Sequence, residues 1–107
     1  FSGSASTKED LLAALRQFKA ELESARQQGL PETTADDVLV EIEAAELEAS
    51  KPAPLPERIV KRLESASKAL TAGAGLATAT AQAAEAANKL VPFLQQVTQH
   101  ITKFFGG

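Results

Sequence analysis

The chain of 107 residues reads as an all-α domain, a four-helix bundle whose long C-terminal helix bends near Pro92. Three observations predict this. Ala, Leu, Glu, Lys, Gln and Arg, the strong helix formers, dominate the composition. Apolar residues recur at spacings of three and four in successive stretches, which marks one face of a helix. Gly and Pro separate those stretches, at Gly29 and Pro31, at Pro52, Pro54 and Pro56, and at Gly73 and Gly75. The length fits one domain. Residues 1–5 read as a flexible lead-in and residues 6–105 as the domain.

Ser6 and Glu9 open the first helix as a capping box, the hydroxyl taking a free amide and the carboxylate reaching back. Leu11, Leu15, Phe18, Leu22 and Ala25 form its stripe, widened by Leu12, and predict a helix over 7–28. Gly29 ends it. Leu30 supplies the hydrophobic contact of a Schellman end, and Pro31 prevents the helix from resuming in the same direction. A second helix is expected from 32 or 34 to about 50. Either Pro31 stands at its first position or Thr34 with Asp37 caps it. Val38, Ile42, Ala45 and Ala49 make its stripe, with Leu39 beside it. Its remaining face is acidic: Glu32, Asp36, Asp37, Glu41, Glu43, Glu46 and Glu48 stand there with no base among them.

Residues 51–57 alternate with Pro and predict a stiff polyproline-like connection. The third helix starts at about Pro56 and carries Ile59, Leu63, Ala66 and Leu70 at spacings of four, three and four. Arg58, Lys61 and Arg62 on its other face are expected against the acidic second helix. Each such surface pair is worth roughly 0–1 kcal/mol, so they select an arrangement of helices more than they stabilise it. Leu76, Thr80, Ala83, Ala87, Leu90, Leu94, Val97, Ile101 and Phe104 continue the alternation to the C-terminal end. Pro92 lacks the N–H that a helix needs and is expected to kink this last segment near 88–92. The first three helices are expected as antiparallel neighbours, with the last packing into the groove they leave.

Composition narrows the chemistry. Of the 47 apolar residues 21 are Ala, so only 26 large ones are available for a core, and the helices must approach closely. There is no Cys, Met, Trp or Tyr and one His, which removes disulfides, thiolate chemistry and Cys- or His-based zinc sites. A net charge of −3 argues against nucleic acid as a partner. The Cys-free composition fits a reducing cytoplasm, the compartment expected. The N-terminal residues lack the basic start and apolar run of a signal peptide. No stretch of about 20 strongly apolar residues predicts a transmembrane helix.

The run from Ala69 to Ala87 is rich in small residues, with no charge between Lys68 and Glu85. Gly73 and Ala77, Gly75 and Ala79, Ala79 and Ala83, and Ala83 and Ala87 stand four apart, which lets a second helix backbone come close. That helix belongs either to this chain's own bundle or to a partner. Residues 89–105 are amphipathic, with Phe93, Phe104 and Phe105 among the apolar positions, and suit a core helix, a partner groove or a lipid interface. The candidate interaction surface is therefore Gly73, Gly75, Ala79, Ala83, Ala87, Phe93, Phe104 and Phe105. The acidic helix face reads as solvated, because paired catalytic carboxylates need a cleft that raises one pKa. A nucleophile or zinc site at His100 would need further residues that the sequence lacks. Gly73-Ala-Gly75 lacks the spacing and the Lys-Ser/Thr of a phosphate loop.

Several stretches resemble a helical module that recurs in multidomain bacterial proteins alongside NTPase, caspase-like and TIR-type parts. They are Ser6-Thr7-Lys8-Glu9-Asp10-Leu11-Leu12, Gly29-Leu30-Pro31-Glu32, Glu41-Ile42-Glu43-Ala44-Ala45-Glu46, and Lys51-Pro52 ahead of Pro56-Glu57-Arg58. An Ala/Gly segment and an amphipathic tail follow in the same order. The resemblance covers residues 6–105 and implies a non-enzymatic adaptor or assembly domain of a larger signalling or defence protein. It transfers no catalytic residue. The expectation is thus a protein-interaction or self-assembly domain, binding a protein partner or a second copy, with no cofactor, metal or small-molecule substrate. The alternative is a membrane-binding or pore-forming domain acting through the Ala/Gly segment and the tail.

Overall fold

The structure, a computed structural model, describes residues 8–76 and 79–101. Four helices follow one another: α1 (Lys8–Gln27), α2 (Glu32–Ala49), α3 (Pro56–Ala74) and α4 (Ala81–Gln99). Among the described residues there is no strand. Short connections make consecutive helices antiparallel neighbours. α1 lies against α2 and α4, and α3 against α2 and α4, while the diagonal pairs do not approach. The bundle is an up-down-up-down square, and α4 fills the side left open between α1 and α3.

The apolar stripes point inward as their spacing requires. Leu11, Leu15 and Phe18 of α1, Val38 and Ile42 of α2, Ile59, Leu63 and Leu70 of α3, and Leu94 and Val97 of α4 are buried, as is Ile101 just beyond. Phe18 occupies the middle and meets Phe93 across the α1–α4 contact, ring centres 6.0 Å apart and tilted by 41°. Such tilted pairs add about 0.5–1.5 kcal/mol beyond area burial. Between the large residues stand Ala25, Ala45, Ala49, Ala66, Ala83 and Ala87, all with no exposed surface. These alanines bring the helix backbones close and so compensate for the shortage of large side chains.

The ends of the helices follow local chemistry. Gly29 has φ of 116°, its N–H donates to the carbonyl of Arg26 and that of Leu30 to the carbonyl of Ala25. That is the expected Schellman end, with Leu30 buried beneath it. The Ser6 cap lies outside the described residues. At the start of α2, Pro31 is the N-cap residue. Thr34 caps nothing there: its side chain is buried against Gly73 of α3. Pro56 stands in the first turn of α3, where a missing N–H costs nothing.

Gly73 is absorbed into α3 and Gly75 is its C-cap residue. A Cβ at Gly73 would fall 2.8 Å from Thr34 Cβ, so glycine is what permits α2 and α3 to touch there. The last helix starts only after Thr80, which corrects the stripe read as continuous from Leu76. Thr80 Oγ1 accepts the Ala83 N–H at 3.0 Å and donates to the Gln28 carbonyl at 2.6 Å. A hydroxyl bonded to its own first turn and to the end of α1 is a cap, and it seats α4 beside the α1–α2 turn. Leu76 is left exposed in the connection. α4 runs unbroken through Pro92. Asn88 and Pro92 are both on the exposed face, where water can satisfy the carbonyl that Pro92 leaves without a donor.

Candidate functional site

The sequence-derived surface residues divide on this fold. Gly73, Ala83 and Ala87 are buried in the chain's own core. At these three positions the small residues serve the packing of α3 and α4 within the chain. Ala79 is half-buried, Gly75 is exposed, and Phe93 is half-buried on Phe18. Phe104 and Phe105, with Ala77, lie outside the described residues. No patch unites the described members of the set.

A different face carries unpaired apolar surface. On α2, Val40 and Leu47 are 60% and 69% exposed. They stand seven residues apart, two turns along one side, with half-buried Ala44 between them. Beside them a groove of about 490 Å³ runs between α2 and α3. Ala44, Leu47 and Glu48 line it from α2, Lys51 from the connection, and Arg58, Lys61, Arg62 and Ser65 from α3. Four cations and one carboxylate make it basic. The α3–α4 groove is of similar volume, about 520 Å³, but is lined by polar residues, Glu64, Ser67, Lys68, Gln95, Thr98 and Gln99. It offers no apolar anchor.

The expected pairing of the second and third helices is present at two positions: Arg62 lies 3.5 Å from Glu41 and Arg58 3.8 Å from Glu48. Lys61 has no ion pair among the described residues. On the other flank of α2, Lys19 of α1 meets Glu46 at 2.7 Å. Both flanks of α2 are therefore tied to neighbours, and its outward ridge of Asp36, Val40, Glu43 and Leu47 is left to solvent.

Glu48 departs from the solvated reading of the acidic face. It is buried, and its carboxylate accepts the Leu55 N–H at 3.1 Å and a bond from Lys51 Nζ at 3.1 Å. The Leu55 N–H, followed by Lys51, stabilises the charged form against the opposing effect of burial, so the Glu48 pKa lies below its ordinary 4.5. Glu48 pins the Pro-rich connection to the end of α2 and thereby fixes where α3 begins. In helical projection it falls beside Ala45 and Ala49, a signal that the count of acidic residues hid.

Among the described residues no group of three or more His, Cys, Asp or Glu could hold a metal ion, and no helix is long and apolar enough to cross a membrane. His100 is the half-buried C-cap residue of α4. The chemistry this face can perform is recognition: an apolar ridge for desolvation and a basic groove for orientation. The resemblance to the bacterial helical module rests on the short motifs quoted above, and no family model, curated protein or solved structure matches the chain.

Proposed function

We propose that this domain is a non-enzymatic protein-interaction or self-assembly module, and that it works through the outward face of α2 and the α2–α3 groove. The observation that supports this is the exposure of Val40 and Leu47 beside Lys51, Arg58, Lys61 and Arg62. Large apolar side chains in water cost roughly 25 cal/mol per Å² of surface that burial would recover. A charged rim around such a centre is the usual anatomy of a docking surface. In this reading the module is part of a larger bacterial signalling or defence protein in the cytoplasm, as the resemblance implies, and recruits a protein partner or further copies of itself.

The solution mass of the chain, measured by light scattering and sedimentation over a wide concentration range, tests the reading. A mass that rises with concentration supports association. A monomer mass up to about 1 mM, a concentration that detects binding as weak as about −4 kcal/mol, overturns self-assembly as the function. The membrane alternative has no specific observation in its favour, since Ala83 and Ala87 of the Ala/Gly segment are turned into the bundle.

A further inference from the structure

We infer that two copies pair α2 against α2, antiparallel about a two-fold axis, with Val40 of each copy beside Leu47 of the other. This rests on the association reading above and names the partner as a second copy of the chain. The argument comes from the order of groups along one helix. Read along its exposed side, α2 presents Asp36 and Asp37, then Val40, then Glu43 and Ala44, then Leu47, and the connection that follows adds Lys51 beside Arg58. It is acidic at its N-terminal end, carries Val40 and Leu47 on either side of Glu43 in the middle, and is basic at its C-terminal end. A surface of this order is complementary to itself only when reversed.

The register follows from the spacing. If Val40 faces Leu47, residue i faces residue 87 − i, and Asp36 faces Lys51. Both charge contacts then form at once, about 20 Å apart, since the helix rises about 1.5 Å per residue to Ala49; the axis passes between Glu43 and Ala44, with a Glu43 on either side of it. Lys61, which has no ion pair among the described residues, lines the groove and in this pairing is the cation that meets Glu43 of the second copy. A parallel pairing would set Asp36 and Asp37 against their own equivalents and is repelled at both ends. Asp37 and Glu43 have no ion pair among the described residues, and Asp36 lies in the field of Arg26 without bonding it. Four large apolar side chains at the centre make a contact smaller than that of standard stable complexes. The expected dissociation constant is therefore of order 10⁻⁴ M, weakened by salt.

The natural lack of cysteine allows a direct test. Val40→Cys and Leu47→Cys chains are treated with a short bismaleimide, singly and mixed. The mixture should give crosslinked dimer and each variant alone little, because like positions are about 10 Å apart along the axis. Self-crosslinking of each single variant would establish a parallel pair and overturn the inference. In parallel, Leu47→Asp should weaken dimerisation at least about tenfold with an unchanged melting temperature. A lowered melting temperature of the monomer would mean that another segment of the same chain covers Leu47, and would equally overturn it. Asp36→Lys/Asp37→Lys and Lys51→Glu, each checked for folding by circular dichroism, should each fail to dimerise yet pair when mixed. A mass that rises with concentration but ignores all of these variants leaves association standing and removes the α2 pairing. A mass that never rises removes both.

Discussion

Replacing Gly73 by Ala is the sharpest test of how α2 and α3 meet. At an unconstrained helix position this change gains about 1 kcal/mol of helix propensity. Here the new Cβ would stand 2.8 Å from Thr34 Cβ, and nearer still to the Thr34 methyl and hydroxyl. Carbon atoms not bonded to each other rest at about 3.5–4.0 Å. Rotating Thr34 can remove its methyl and hydroxyl from the contact but not its Cβ, so the two backbones must separate. Such overpacking typically costs about 1–3 kcal/mol. After the propensity gain, the net is a loss of up to about 2 kcal/mol. Gly75 supplies the control two residues away. It has φ of −86°, and a Cβ there meets nothing nearer than 3.7 Å. Gly75→Ala should therefore gain about 0.4–1 kcal/mol by restricting the unfolded chain. The two variants should differ by about 0.4–3 kcal/mol in urea denaturation, and in Tm by about 4–8 °C per kcal/mol. In a Thr34→Gly background, Gly73→Ala should become stabilising. If Gly73→Ala melts at or above Gly75→Ala in the natural background, the close approach is wrong and so is the register of α2 on α3.

Gly29→Ala places a side chain on a backbone with φ of 116° and 2.6 Å from Thr80 Oγ1, and should cost about 1–3 kcal/mol in the same denaturation assay. Leu94→Ala opens a cavity under α4 and should cost about 2–5 kcal/mol; a near-zero change would mean that α4 is not part of the core. Glu48 has a lowered pKa in the folded state, so its contribution is present above the ordinary value of 4.5 and is lost as pH falls through the lowered one. Glu48→Gln should flatten the dependence of stability on pH below 4.5, read from urea midpoints across an acid series. An unchanged slope would show that the Leu55 N–H and Lys51 do not hold the carboxylate.

Sequence alone determined the helical class, the stripes, the Gly29–Leu30 stop and the Pro56 start. Each of these follows from a few neighbouring residues: 3.6-residue periodicity, a missing proline N–H, a glycine at positive φ. The partners of those residues were another matter. Whether Gly73 ended a helix or let one in depended on Thr34, thirty-nine positions earlier in the chain. Thr80 looked like one more member of a stripe; in the structure it caps α4 through the Ala83 N–H and ties that cap to the Gln28 carbonyl just past α1. Glu48 counted as one acid among seven until Leu55 offered it a backbone N–H. The small residues at 73, 83 and 87 had a spacing that suits a neighbouring helix, and spacing carries no information about whose helix it is. Val40 and Leu47 stand off the Val38, Ile42, Ala45 and Ala49 stripe, but the sequence did not say whether a neighbour covers that side of α2. Only the docking of α1 and α3 on the two flanks of α2 decided which of its apolar residues were covered and which were left facing water.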